Sequence, residues 1–164
     1  MCIRDRVNVE ERLALLGLVL PPPVQAPPGV RLPFTPVRIV GDRAFVSGHG
    51  PQLPDGSIAG PFGKVGADVT VEEAYVSARL TALSMLGSLQ RAVGDLDRVV
   101  WARVFGMVAS ASGFDRQPSV INGFSDLILD LYGDAGAHAR SAVGMAELPF
   151  GLPVEIEAEV VIVG

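Results

Sequence analysis

The chain has 164 residues, the length of one domain, and a chain of that size buries roughly 70% of its unfolded surface. Thirteen Lys and Arg stand against eighteen Asp and Glu, a net charge of −5, with 49% apolar and 19% charged residues; this is a globular composition, neither disordered nor strongly basic. A single lysine, Lys64, and scattered arginines provide no cluster of cations for phosphate neutralisation, which argues against nucleic acid as a partner.

Met1–Arg6 can be written as ATG TGT ATA AGA GAC AGx, which resembles a transposon adapter used in sequencing libraries. Residues 1–6 are therefore read as an artefact and kept out of the fold reasoning. Without Cys2 the chain has no cysteine, so a disulfide, a thiolate nucleophile and a zinc–thiolate site are all excluded. From Leu13 to Leu20 the sequence is apolar, but this run is far short of the roughly 18 residues of a membrane span. Glu10 and Glu11 lie where a signal peptide wants positive charge. The segment instead predicts an amphipathic helix capped by Asn8 with Glu11, carrying Val9, Leu13, Leu16 and Leu20 on one face and stopped by Pro21–Pro23. With no address visible, the expected compartment is the cytoplasm, and no membrane partner is expected.

Seven prolines between Pro21 and Pro36 hold the chain extended and predict an arm lying over the domain surface. Residues 7–33 thus form a helix and arm, and residues 34–164 the packed domain. Val37–Val40 and Arg43–Ser47 predict a hairpin whose Gly41–Asp42 turn suits type II′. Residues 49–69 read as a long connection. Thr70 and Glu73 form a capping box for a helix that runs to Val93, buries Ala74, Ala78, Ala82, Met85, Leu86 and Leu89, and ends at Gly94.

Val99–Ala109 is too apolar on both faces for an edge strand and belongs inside the sheet, with Trp101 and Phe105 as core or subunit-interface residues. A second helix opens at Pro118 and closes at Gly133, burying Val120, Phe124, Leu127, Ile128 and Leu131. Strands at residues 139–147 and 154–163 complete an α+β order, β-β-α-β-α-β-β, with one mainly antiparallel sheet and both helices on one face. In the last strand Val154, Ile156, Ala158 and Val160 suit the helix side, and Glu155, Glu157 and Glu159 stand about 7 Å apart on the other. Arg140 and Arg103 are candidate counter-ions for this acidic row, on a face of the kind that an oligomer covers.

His49 and His138 are not part of any metal-ligand spacing, and neither a G-x-S-x-G elbow nor a P-loop is present, so no metal and no cofactor is expected. What remains is Ala139-Arg140-Ser141-Ala142-Val143-Gly144-Met145-Ala146-Glu147-Leu148-Pro149, followed by Val154-Glu155-Ile156-Glu157-Ala158. This segment resembles the Rid family (YjgF-type, formerly endoribonuclease L-PSP), whose pattern is an Arg-x-x-Val strand, a Leu-Pro and a closing Val-Glu-Ile-Glu strand. Phe45-Val46-Ser47-Gly48 and Val120-Ile121-Asn122 are similar too, and the likeness covers roughly residues 34–163.

The resemblance implies a chorismate-mutase-like fold and a homotrimer with sites between subunits. It also implies hydrolytic deamination of reactive enamine or imine intermediates, of the 2-aminoacrylate and 2-iminopropanoate type, to 2-oxo acids and ammonia. Carried over, Arg140 becomes the residue that binds the substrate carboxylate and Glu155 the residue that positions water. Gly48 becomes a backbone contact in the pocket, and Asn122 a polar residue at its edge. Phe34 stands where well-studied members have tyrosine, and Ala142 where they have cysteine. These departures keep open an alternative, a non-catalytic trimer that binds a small carboxylate metabolite. His49 either restores proton transfer or is a loop histidine bonded to backbone. Arg140 could instead be bridged to Glu155 or Glu157, and His138 could be a hinge or surface residue. The N-terminal helix and arm are expected to pack over a neighbouring subunit.

Overall fold

The computed structural model describes residues 8–164, so the proposed adapter residues lie outside the described part. Its elements are helix α1 (Val9–Leu15), strands β1 (Val37–Val40) and β2 (Arg43–His49), helix α2 (Val71–Val93), strand β3 (Val99–Ala109), helix α3 (Gln117–Tyr132), and strands β4 (Ala139–Met145) and β5 (Val154–Ile162). The α+β order expected from the sequence is the one found.

Capping chemistry set the helix starts where the sequence placed them. The Asn8 side chain accepts from Glu11 N–H while Glu11 accepts from Asn8 N–H, and Thr70 and Glu73 make the same reciprocal pair at α2. Helix α1 is shorter than its apolar run suggested. Gly17, at φ 68, turns the chain after Leu16 and leaves Leu16 and Val19 exposed, so Leu20 is not on a helical face. At the hairpin Gly41 has φ 62, as the first position of a type II′ turn requires.

The sheet order is β1-β2-β5-β3-β4. Strand β3 is interior, antiparallel to β5 and parallel to β4, so the last two strands, though consecutive in sequence, are separated by β3. Helices α2 and α3 cover one face, where Val104, Val108, Ile156 and Val160 are buried with Leu86, Leu89, Phe124 and Ile128. Trp101 stacks edge-on against Phe124, with 5.6 Å between ring centroids. Val9 and Leu13 join this same core. Helix α1 is further held by Val9 N–H on Asp97 Oδ1 (2.9 Å) and by Arg12 Nη1 on the Leu131 carbonyl (2.8 Å), both within its own chain.

The row of acidic residues is neutralised differently from the expectation. Glu155, Glu157 and Glu159 do occupy the uncovered face, but Arg43 on β2 pairs with Glu159 at 2.7 Å. Arg140 cannot be the counter-ion. It is in register with Val104, which faces the helices, and β4 does not adjoin β5. Arg103 is in register with Glu159 but extends over the Phe105 ring, at 5.7 Å from its centroid.

The two long helices cross where Gly123 meets the Tyr75 carbonyl so closely that a Cβ would collide with backbone. Gly123→Ala is expected to lower stability by about 1–3 kcal/mol in urea unfolding, because the overpacking exceeds alanine's helical advantage. A more stable variant would show that the helices separate there at little cost.

Candidate functional site

Two groups of the expected residues form two separate places on the chain. The first lies at the β4 edge, beside α3. Arg140 Nη1 donates to Asn122 Oδ1 (3.0 Å) and to Ser125 Oγ (3.1 Å), and Nη2 donates weakly to the Pro118 carbonyl (3.4 Å). All three partners are neutral. Among the described residues no carboxylate pairs with this guanidinium, so the bridge to Glu155 or Glu157 is not formed. Nε and the second Nη2 hydrogen have no partner among the described residues, and a guanidinium with donors to spare can bond a carboxylate. Burial lowers the Arg140 pKa and Asp126 pushes it back up. Ala142 projects to the same side two residues on and packs partly into the core.

His138 has a part the sequence did not show. Its Nδ1 lies 2.6 Å from the Gly136 carbonyl, which can only accept, so Nδ1 bears the proton. Burial, helped by Arg140, lowers its pKa and favours the neutral ring, against the opposing pull of that backbone bond. Nε2 then accepts from the Ser125 hydroxyl (2.9 Å), which leaves Ser125 Oγ to receive Arg140. His138 is thus neither hinge nor free surface residue but the end of a relay that orients the arginine. Ser125, buried on α3, was missed. Its only sequence signal was a hydroxyl on the otherwise apolar stripe of α3.

The second place is a cavity of about 370 Å³ at the end of β2, bounded by Phe34, Gly48, His49 and Glu155 together with the proline arm and the loop before β5. One extra residue in β2 between Val46 and His49 makes a bulge. It sets the Gly48 backbone against Glu155 and turns His49 towards α2. A Cβ at position 48 would strike the Glu155 carboxylate, so glycine is required for that carboxylate to lie over the strand. Burial, with Glu157 nearby, raises the Glu155 pKa, and no described residue donates a hydrogen bond to its side chain or pairs with it.

His49 repeats the pattern of His138. Nδ1 meets the Ser47 carbonyl at 2.6 Å, Nε2 meets Ser88 Oγ at 2.8 Å, and Arg91 Nη2 donates to the same hydroxyl at 3.3 Å. Burial lowers the His49 pKa as well. With both ring nitrogens engaged, His49 lines the cavity without a free lone pair for proton transfer.

The two places are far apart within one chain. Arg140 is in register with Val104 and Glu155 with Met107, one strand further across, which separates their Cα atoms by roughly 14 Å on opposite faces of the sheet. Asn122 and Ala142 belong to the arginine side, and Phe34, Gly48 and His49 to the glutamate side. No group of three or more His, Cys, Asp or Glu suited to a metal ion occurs among the described residues.

A glutamate whose pKa folding raises is destabilising where it is ionised. The cost is absent below its unfolded value near 4.5 and grows as pH rises through the folded value. Glu155→Gln is therefore expected to raise the melting temperature at pH 7 by about 2 °C and to leave it unchanged at pH 4, as read by calorimetry. A lower value at pH 7 would mean that the carboxylate is paired in the folded protein.

Comparison with known proteins now places the chain. Residues 10–152 match the family model described as "YjgF/chorismate mutase-like, putative endoribonuclease". The chain is 42% identical over 156 residues to Protein TCP17 of Trypanosoma cruzi, covering 92% of both. Among solved structures it is similar to Atu1372 of Agrobacterium tumefaciens, a protein of unknown function, at 41% identity and TM-score 0.83, over 94% of this chain and 91% of that one. It is also similar to a protein of Shewanella oneidensis MR-1 titled a "putative endoribonuclease", at 31% identity and TM-score 0.84, over 94% and 99% of the two chains. With its fold, its Arg140 and Glu155 strands and these relatives in agreement, the chain belongs to the YjgF/chorismate-mutase-like family.

Proposed function

We propose that the protein hydrolyses reactive enamine or imine intermediates of 2-amino acids to 2-oxo acids and ammonia, at sites completed by a second copy of the chain in a homotrimer. One observation carries the reading. A guanidinium with neutral partners and donors still free, and a carboxylate with no cation, occupy opposite faces of one sheet, so a ligand can meet both only where a neighbouring copy brings the second.

In such a joint site Arg140 grips the substrate carboxylate, with charge-assisted bonds of roughly 1.5–3 kcal/mol each. The Ser125–His138 relay holds its orientation. Glu155 takes a proton from water as the water oxygen bonds to the imine carbon, and the C=N bond becomes C–N. The same carboxyl returns the proton to nitrogen. The hydroxyl of this carbinolamine then gives its proton to the carboxylate and on to nitrogen, so that the C–N bond breaks with its electron pair going to departing ammonia and the C–O bond becomes the carbonyl of the 2-oxo acid.

A second reading, a trimer that binds a small carboxylate metabolite without turnover, is favoured by a different observation. Phe34 and Ala142 provide no hydroxyl and no thiol, and both nitrogens of His49 are already bonded. It keeps Arg140 and loses the chemistry.

Turnover separates the two readings. An amino-acid oxidase generates the imine in situ, and its decay is followed with wild type, Arg140→Ala and Glu155→Gln. Wild type is expected to accelerate decay and each variant to lose at least about 100-fold. Equal decay with and without wild type, across several amino acids, would reject the enzyme.

Refolding the two variants together tests the joint site. Random assembly places an intact glutamate beside an intact arginine at about a quarter of the sites, so about a quarter of the wild-type rate should return. No recovery from a mixture confirmed to contain both chains would place both residues in one protomer.

A further inference from the structure

We infer that the cavity holding Glu155 is a side-chain pocket that selects 2-imino acids bearing a branched aliphatic or aromatic side chain, with the N-terminal arm as its specificity wall; this rests on the imine chemistry proposed above. The walls are apolar. Val24 and Leu32 of the arm line the space together with Phe34, Ile58, Phe150 and Leu152. No lysine or arginine lines it, so the cavity itself offers no cation to a ligand carboxylate.

Four lining residues carry polar side-chain atoms, and three of them already make hydrogen bonds within the chain. His49 and Ser88 bond each other, and Gln52 Nε2 donates to the Pro22 and Gly56 carbonyls at 3.1 and 3.2 Å. Of the four, only Glu155 has a side chain with no hydrogen bond among the described residues. The surroundings therefore fit a molecule with one polar centre, at the carboxylate, and an apolar body. At about 370 Å³ the space lies within the range of ligand clefts, roughly 300–1,000 Å³. A three-carbon imino acid has one methyl group to place there and would leave most of the apolar wall against water.

The arm is fastened as a wall would be. Pro21 O accepts from Arg91 Nη1 (3.1 Å), Pro22 O accepts from Gln52, and Gln25 N–H donates to the Gly56 carbonyl (3.2 Å). Arg91 also holds Ser88, so the group that fixes His49 fixes the arm too. On the opposite wall Phe150 is kept at φ 59, a left-handed conformation that disfavours a bulky side chain, with its ring lining the cavity.

The test compares imines made by a D-amino-acid oxidase from D-alanine and D-leucine; the imine carbon is planar, so the starting enantiomer does not matter. Wild type is expected to show kcat/KM about tenfold or more higher for the leucine-derived imine. Val24→Asp, at a position partly open to solvent, is expected to bring that ratio close to one. An equal or reversed preference in wild type, or a ratio unmoved by Val24→Asp, overturns the inference.

Calorimetric binding of 4-methyl-2-oxopentanoate and pyruvate to the full chain gives a readout independent of turnover. Tighter binding of the branched acid, weakened by Val24→Asp, supports the pocket even where no imine is hydrolysed, in which case the deaminase reading alone falls. Equal binding of the two acids overturns the pocket.

Discussion

The two-residue period of a β-strand governs what this molecule can do. Because side chains alternate across the sheet, register alone sends Arg140 under the helices and Glu155 to the uncovered face. Inserting β3 between β4 and β5 adds a full strand width to that separation. A shift of one residue in β4 would bring Ser141 to the helix side and aim the guanidinium away from Asn122 and Ser125. The division of charge between the two faces is a consequence of backbone pairing, and it puts the guanidinium and the carboxylate in two separate places on the chain.

Each place is stiffened by the same device, a histidine whose Nδ1–H donates to the carbonyl two residues back and whose Nε2 accepts from a serine hydroxyl. At one end the serine then takes Arg140, and at the other Arg91. The arginines differ in what they serve. Arg91 spends its remaining reach on the arm, whereas Arg140 keeps donors free. Burial keeps both rings neutral, which preserves the acceptor that each serine needs.

Much of the fold was legible because local chemistry was consistent with it. Both capping boxes, the Gly41 turn, the Gly94 and Gly133 stops and the interior position of Val99–Ala109 follow from residue types at short range. Reading α1 to Leu20 failed because the apolar run outlasted the helix, and one glycine decided the end. The site was legible as a set of residues through the family resemblance, but not as an arrangement. Nothing in the spacing of Ser125 and His138 marked them as the support of Arg140, since the contact closes between a helix and a strand edge.

The sequence by itself determined which segments are helix and strand and which face of β5 is acidic, because these depend on periodicity and composition. Strand order was beyond it, and strand order decided the rest. Whether β4 lies beside β5 or across β3 depends on long-range pairing, whose energy comes from packing α2 and α3 over one face. That choice gave Glu159 its partner in Arg43 rather than Arg140 and left Arg140 with neutral companions.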